Sequence, residues 1–518
     1  MVPKIDKKVI LVAVFVPMLL LVNLAPQCLT AEEFEPKWES LKKHQTPEWF
    51  RDAKFGCWAC WCPGVVVTDK VDFKAEWFGR QMYTPKHAAF EYMRKHYGDQ
   101  KEFGYKDLIP LLKGEKFNAG EWAELFQRAG AKFAGPLAIF HDNYPLWDSA
   151  VTRYDGKDVG PKRDIVAEWE KAVKKRGMKF AATFHHGFAW GFYEPAYQYD
   201  AADPQYADLY CQPHEPKAPP TTHYQERWLA MVNEVVNQYE PDLIYFDFGL
   251  ERVITPEYQR RMFSDYYNWA VKHGRQVGVT HKHRNIHRHT GILDFERGRE
   301  DRLTPYPWQT DTSVSTWFYH NAAEYRSVNE FVDMLADIVS KNGCLFLNVP
   351  MRADGSIPAQ AWPIMKGIGD WLKVNGEAIY GTRTWEIFGE GPTQNTGGKF
   401  SERKDKPYTA KDIRFTRSKD GKTLYAIALG WPSKSLTLTA VKVLKAGPNA
   451  RVTLLGYDKA LKFTVNDKKQ LVIGMPDLDA TQRPCQQAYS FKLTGFELDV
   501  HGGEIAAGPF KPTVESLR

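Results

Sequence analysis

The sequence predicts an α/β protein: a (β/α) barrel of the TIM type followed by a C-terminal antiparallel β-sandwich. Between about residues 45 and 380, short apolar runs alternate with helical patterns, which is typical of parallel strands joined by helices. After residue 380, strand-like runs follow one another without helices, as in an all-β domain. The chain of 518 residues is also too long for one compact core.

The N-terminus has the pattern of a secretory signal peptide. Three lysines between residues 4 and 8 precede an apolar run over residues 9–24, and the small residue Ala31 follows. We therefore expect residues 1–31 to be removed and the protein to be exported, to the periplasm or the extracellular space. An uncleaved anchor is the alternative, although the run is marginally short for a spanning helix. No stable membrane span is expected after cleavage.

The mature chain divides into two predicted domains, residues 32–382 and residues 383–518. Strand-like runs of the first domain are KFGCWACW, AKFAGPLAIF, MKFAATFHH, DLIYFDF, RQVGVT and CLFLNV. Helices are predicted for DIVAEWEKAVKKRG and for SVNEFVDMLADIVSKNG, which opens on the capping box Ser327 to Glu330. The polar segment EGPTQNTGGKFSERKDKP then predicts a surface loop, and the runs from DIRFTRS to YSFKLTGFELDV predict the sandwich.

Composition narrows the class of ligand. A net charge of +6 without a clustered basic patch argues against nucleic acid as a partner. The chain contains 17 tryptophans. An indole face fits the C–H face of a sugar ring, although packing in the core is an equally good explanation for any one tryptophan.

The cysteines leave several possibilities open. Cys28 belongs to the signal, so six cysteines remain, an even number that permits disulfides in an exported chain. Cys57, Cys60 and Cys62 share one strand-like segment, and packed thiols explain them better than a metal site because no fourth ligand is near. A bridge from Cys344 to Cys57 or Cys62 requires their strands to be neighbours.

Two carboxylates carry the chemical hypothesis. Asp247 ends the apolar run of PDLIYFDFG, and Glu296 follows another short apolar run in LDFERGRED. Catalytic residues of barrel enzymes collect at the carboxyl ends of the strands. Most glycoside hydrolases cleave the glycosidic bond with a pair of catalytic carboxyl groups. A helix-capping acid at Asp247 and a solvated charge run around Glu296 are the alternatives.

Further polar and aromatic residues follow strand-like runs, where they suit a ligand with polar edges and an apolar face. These candidate sugar contacts are Glu76, Trp77, His141, His185 and His186. Each one alone is explained better as a core residue. Their repeated position at strand ends favours a binding site.

No cofactor or metal is predicted. The tract HKHRNIHRH contains four histidines, but no acidic or cysteine partner completes a known ligand spacing, so a basic loop near the site is the better interpretation. The sequence contains neither a P-loop nor a G-x-S-x-G elbow, and no dinucleotide fingerprint follows a strand.

The sequence resembles the α-L-fucosidases of glycoside hydrolase family 29 over roughly residues 35–500. The segments that carry the resemblance are PEWFRDAKFGCWACW, AEWFGRQMY, FNAGEWAELFQRAGAKFAG, FHDNYPLWDS, KRDIVAEW, YEPDLIYFDFG, DFERGR, YPWQTDTSVSTWFY, SKNGCLFLNVP and ADGSIPAQAW. It implies a barrel with a C-terminal β-sandwich and a retaining double displacement on a fucose-containing glycan. By resemblance, Asp247 is the nucleophile and Glu296 the acid/base. The Glu-Trp pair of the sugar site falls on Glu76 and Trp77, and histidine contacts fall on His141, His185 and His186.

Three positions depart from the family pattern. Cys60 and Phe140 occupy positions where the family usually has histidines that contact the sugar, and Trp308-Gln309-Thr310 replaces a W-E-T motif. Cys60 and Trp308 are still expected to line the site. Lost donors to sugar hydroxyls are worth about 0.5–1.5 kcal/mol each. Two alternatives to α-L-fucoside hydrolysis therefore follow: a carbohydrate-binding protein that has lost activity, and a glycosidase of the same fold acting on another α-L-linked sugar. The sequence does not determine the oligomeric state.

Overall fold

The computed structural model describes residues 33–282, 286 and 289–501. The predicted signal peptide, and His283 and His287 of the histidine-rich tract, lie outside the described residues. The described residues from Phe34 to His501 belong to one compact unit. Within the described part of the chain, no helix combines the length and the apolar character that crossing a bilayer requires.

Eight parallel strands close into a barrel, which confirms the predicted fold class. In chain order they are β1 (Phe55–Cys60), β2 (Phe133–Ile139), β3 (Lys179–Phe184), β4 (Leu243–Phe246), β5 (Gly278–Lys282), β6 (Ile292–Asp294), β7 (Trp308–Ser313) and β8 (Gly343–Pro350). The barrel closes where β8 pairs with β1, with Leu345 opposite Phe55. Every residue of β1, β2, β4, β5, β7 and β8 is buried. This is the pattern expected where helices cover a parallel sheet.

Strand β7 was absent from the predicted set because its sequence, WQTDTS, is polar. All six of its residues are nevertheless buried. Its side chains bond to other barrel residues: Gln309 donates to Asp294, and Thr310 donates to the carbonyl of Gly298. A buried strand whose polar side chains bond to other residues of the barrel gives no apolar signal in the sequence.

Fourteen α-helices surround the barrel or connect its strands. They are α1 (Trp38–Leu41), α2 (Glu48–Ala53), α3 (Val65–Thr68), α4 (Ala75–Gln81), α5 (Ala88–His96), α6 (Tyr105–Leu108), α7 (Ala119–Arg128), α8 (Ile165–Lys175), α9 (Ala189–Phe192), α10 (Ala207–Tyr210), α11 (Thr222–Tyr239), α12 (Pro256–Lys272), α13 (Val328–Ser340) and α14 (Ala361–Asn375), counted over the described residues. Both predicted helices form, as α8 and α13. Helix α13 begins with the predicted capping box, in which Ser327 and Glu330 bond to each other's backbone N–H groups.

The C-terminal part is an antiparallel sheet, as predicted. Its strands are β9 (Arg383–Glu390), β10 (Ile413–Arg417), β11 (Thr423–Ala428), β12 (Ser435–Leu454), β13 (Ala460–Leu461), β14 (Phe463–Val465), β15 (Gln470–Gly474) and β16 (Tyr489–Val500). They form one hydrogen-bonded sheet. The sheet bends on itself and brings edge strand β9 against β12. At this contact the Glu390 carboxylate, at the end of β9, accepts hydrogen bonds from the backbone of Thr439 and Ala440 in β12. Apolar residues of β9 and β15 therefore share one core.

The six cysteines among the described residues are all free. The bridge considered between Cys344 and Cys57 is wrong for a geometric reason. Cys57 pairs with Leu347 across β1 and β8, whereas Cys344 lies three residues before Leu347 in β8. Three residues of strand span about 10 Å. Two Cα atoms more than about 7 Å apart cannot form a disulfide.

Candidate active site

The residues that follow the barrel strands converge on a cavity of about 600 Å³ at the carboxyl end of the barrel. Seven of the nine predicted site residues line this cavity. They are Cys60, Glu76, Trp77, His141, His185, Asp247 and Glu296. Cys60 ends β1, while His141, His185, Asp247 and Glu296 lie one or two residues beyond β2, β3, β4 and β6. The fold therefore brings these residues together as a barrel active site does.

Asp247 is buried and surrounded by donors. The Lys282 ammonium lies 2.7 Å from its Oδ1, while His185 Nδ1 and His141 Nε2 lie 3.2 and 3.4 Å from its Oδ2. Burial alone raises the pKa of Asp247, but Lys282 and the two histidines outweigh burial and hold the pKa well below its usual range. Asp247 is therefore an oriented carboxylate anion at neutral pH.

Glu296 faces the same ammonium group. Its Oε2 lies 3.3 Å from Lys282 Nζ. Because Asp247 Oδ1 and Glu296 Oε2 both contact Lys282 Nζ, at 2.7 and 3.3 Å, these two oxygens are at most 6.0 Å apart. Burial, with the negative charges of Asp247 and Asp311, raises the pKa of Glu296 although Lys282 opposes the shift. The shifts in pKa thus favour the anionic form of Asp247 and the protonated form of Glu296.

Lys282 is the residue that the sequence analysis missed. It is the last residue of β5, it is 4% exposed, and its Nζ also lies 3.2 Å from Asp311 Oδ2. Burial lowers the pKa of Lys282, but the surrounding carboxylates raise it well above its usual value. A signal was present: strand periodicity places Thr280 and Lys282 on one face, and Thr280 bonds to Gln309 inside the barrel. The histidines around Lys282 instead led to the prediction of a basic loop.

A second pair of acids lies below Lys282. Burial and the adjacent Asp311 raise the pKa of Asp294 well above its usual value. Gln309 donates a 2.8 Å hydrogen bond to Asp294, and the Tyr245 hydroxyl donates to Asp311 at 3.0 Å. The raised pKa favours the protonated form of Asp294, which limits the negative charge that a single buried ammonium has to balance.

One wall of the cavity suits a sugar ring. Glu76 Oε2 is buried without a hydrogen-bond partner among the described residues, so it can accept from a ligand hydroxyl. The Trp77 ring stacks on Phe248 at 6.3 Å and lies 6.2 Å from the His141 ring. His141 Nδ1 donates to the carbonyl of His185, and this fixes the orientation of the imidazole.

Another wall is apolar. Cys60 is buried, and burial raises the pKa of its thiol well above the usual value, so the sulfur stays neutral. The Phe140 ring packs edge-on against Phe318 at 4.6 Å. Two of the three departures from the family pattern, Cys60 and Phe140, therefore share one cavity.

Two predicted sugar contacts do not reach the cavity. His186 points away from it, stacks on Trp228 at 5.8 Å and faces the carbonyl of that residue. Trp308 is the first residue of β7, at the opposite end of the barrel, where its indole N–H donates to the carbonyl of Lys341. His186 differs from His185 because consecutive residues point in different directions as the chain leaves a strand.

His141, His185 and Asp247 offer ligand atoms within 4.8 Å of one another, a set that could hold a metal ion. The Lys282 ammonium already contacts Asp247 at 2.7 Å. A fixed positive charge at this distance repels a divalent cation, so these residues suit a hydrogen-bonding ligand better.

The predicted surface loop after β9 lies against the cavity. Lys399, Phe400, Glu402 and Arg403 line it. The Phe400 N–H donates to the carbonyl of Glu296 at 2.7 Å, and the Glu402 N–H donates to that of Arg297 at 3.1 Å. Arg297 and Phe400 both have left-handed backbone, with φ of 43° and 57°. Such conformations need support from their surroundings, and here two chain segments support each other.

A (β/α)₈ barrel with two carboxylates facing each other in a cavity at its strand ends defines a glycoside hydrolase. Comparison with known proteins identifies the family. The family model "Alpha-L-fucosidase" matches residues 22–377, and the model "Alpha-L-fucosidase C-terminal domain" matches residues 405–494. The chain therefore belongs to the α-L-fucosidase family, which confirms the resemblance found in the sequence.

Relatives match along almost their whole length. The plasma α-L-fucosidase of Rattus norvegicus is 29% identical over 493 residues, which are 93% of this chain and 98% of the relative. The tissue α-L-fucosidase of Homo sapiens is 28% identical, with 89% of this chain and 92% of the relative covered. The crystal structure of Thermotoga maritima α-fucosidase in complex with fucose superposes with a TM-score of 0.69 at 26% identity, and covers 89% of this chain and 100% of that structure.

Proposed function

We propose that the protein is an exported, retaining exo-α-L-fucosidase that removes terminal fucose from oligo- or polysaccharides. The observation that carries the proposal is the arrangement of Asp247 and Glu296, two carboxyl groups of opposite protonation preference that share the Lys282 ammonium. Their bonded oxygens are no more than 6.0 Å apart. Retaining glycosidases have a separation of about 5–5.5 Å, whereas inverting enzymes need about 6.5–9.5 Å. Export is supported by the signal-like N-terminus.

In the first step, an Asp247 oxygen attacks the anomeric carbon while the bond from that carbon to the leaving oxygen breaks. Glu296 gives its proton to the leaving oxygen, and a fucosyl ester on Asp247 results. In the second step, the Glu296 carboxylate removes a proton from water as the water oxygen displaces Asp247. Fucose then leaves with the configuration of the substrate, and Glu296 is protonated again.

The product's configuration tests this proposal. With 4-nitrophenyl α-L-fucoside, we expect hydrolysis and α-L-fucose as the first product, because two successive displacements restore the configuration. Proton NMR within the first minutes, before mutarotation, distinguishes the two anomers. β-L-Fucose as the first product would contradict the retaining mechanism, and an absence of hydrolysis would contradict the fucosidase proposal.

A second candidate function is hydrolysis of another α-L-linked sugar on the same fold. The apolar wall of Cys60, Phe140 and Phe318 favours it, because it offers no hydrogen-bond partner to a hydroxyl. A panel of aryl α-L-glycosides distinguishes the two functions. A substrate cleaved faster than the fucoside would replace fucose as the preferred glycone.

Lys282 provides a test that depends on charge. We expect Lys282→Met to lower kcat/KM about 10-fold to 100-fold at neutral pH, because a neighbouring cation lowers a carboxyl pKa by roughly one to three units. Its removal raises the pKa of both Asp247 and Glu296. The acid limb, where Asp247 must be ionised, and the alkaline limb, where Glu296 must be protonated, should therefore both move to higher pH.

The control is Lys282→Arg, which keeps the positive charge. The measurement is the pH profile of kcat/KM with the aryl fucoside for the three proteins. A profile of Lys282→Met that is lower but unshifted would show that Lys282 does not set the charge of the two carboxyl groups.

A further inference from the structure

The mouth of the cavity is positively charged although its interior is rich in acids. The buried carboxylates are already matched: Asp247, Glu296 and Asp311 contact Lys282, and Glu402 contacts Arg297 and Arg326. The exposed charged groups of the lining are cations, Lys74, Arg252, Lys399 and Arg403.

Three of these cations have no acid to pair with. Lys74, Lys399 and Arg403 have no carboxylate within 4.0 Å in the part of the chain that the structure describes, whereas Arg252 lies 3.3 Å from Glu251. Unpaired cations gathered at the mouth of a cavity create a positive potential there. A ligand that carries negative charge outside the reaction centre would be attracted to it.

The loop between β9 and β10 places two of these cations beside the acid/base. The Phe400 N–H donates to the carbonyl of Glu296, so the segment is joined directly to the backbone of the proposed acid/base. The Lys399 ammonium and the Arg403 guanidinium lie 5.4 and 5.0 Å from the centre of the Phe400 ring. An aromatic face flanked by cations is suited to a sugar that bears an anionic group.

Building on the proposed function, we propose that Lys399, Phe400 and Arg403 form a leaving-group subsite that binds an anionic sugar, carrying a sulfate ester or a carboxylate, to which the terminal fucose is attached. The interior of the cavity is unsuited to the anion, because its buried ammonium, Lys282, is already held by Asp247, Glu296 and Asp311. The C-terminal sheet thereby contributes substrate selectivity through the loop that leaves β9.

The test compares three fucosyl disaccharides that differ only in the second sugar: neutral galactose, a galactose sulfate ester and a uronic acid. At low salt we expect kcat/KM for at least one anionic substrate to exceed that for the neutral one by about three- to tenfold, the size of one or two exposed ion pairs. The preference should shrink in 0.5 M NaCl because of screening. The two anionic substrates distinguish sulfate from carboxylate recognition.

The variant Lys399→Gln/Arg403→Gln should lower the ratio of anionic to neutral kcat/KM to about one. Lys404→Gln is the matched control, since Lys404 is exposed in the same segment but does not line the cavity, and it should keep the wild-type ratio. A wild-type ratio of one, or a ratio unchanged in the double variant, would overturn the inference while hydrolysis of the neutral disaccharide upholds the proposed function. If no fucoside is hydrolysed, both fail together.

Discussion

Asp247→Ala is expected to lower kcat for an aryl α-L-fucoside by roughly 10⁴-fold or more, the order of loss seen when an enzyme loses its covalent nucleophile. The carboxylate is buried, oriented by Lys282 and two histidines, and held in its anionic form. No other carboxylate of the cavity combines an anionic state with this degree of orientation, among the described residues. The measurement is steady-state turnover, with thermal unfolding to verify that the variant folds.

Azide gives this variant a diagnostic product. The space left by the Asp247 side chain admits a small anion, which would attack the anomeric carbon once and form the β-L-fucosyl azide, with inverted configuration. Asp458→Ala, which removes an exposed carboxylate from the loop between β12 and β13, is the control and should retain full turnover. Unchanged turnover in Asp247→Ala would remove Asp247 from the role of nucleophile.

The sequence predicted the barrel and the position of Asp247 because both have strong local signals. The run PDLIYFDFG is apolar up to the acid, and β4 ends at Phe246, directly before Asp247. Trp308 was expected at the site from the family motif alone, but it begins its strand instead of following it. A residue's position relative to the end of its strand, more than its chemical type, determines whether it reaches the cavity.

Two parts of the site had no local signal of this strength. Lys282 is one cation within a histidine-rich tract, and its importance appears only when β4, β5, β6 and β7 bring four acids around it. The loop after β9 is polar and rich in glycine, as surface loops are. Its contact with Glu296 joins residues 104 positions apart, and pairings at such separations depend on the assembled fold.

The prediction with the second-largest effect concerns Glu296. Glu296→Ala should lower kcat/KM by about 10²–10⁴-fold for fucosides with a poor leaving group, which is the contribution of general acid–base catalysis. The loss should be smaller for 4-nitrophenyl fucoside, whose leaving group departs without a proton. The alkaline limb of the pH profile should also disappear, because the raised pKa of Glu296 is its source.

Azide then separates the roles of the two carboxyl groups. In Glu296→Ala the fucosyl ester on Asp247 still forms, and azide attacks it to give the α-L-fucosyl azide, the anomer opposite to that expected from Asp247→Ala. Glu386→Ala, a change at an exposed glutamate of β9, serves as the control. The same anomer from both variants would contradict the double displacement. In that mechanism azide attacks the substrate itself in Asp247→Ala and the fucosyl ester in Glu296→Ala, and the two attacks give azides of opposite configuration.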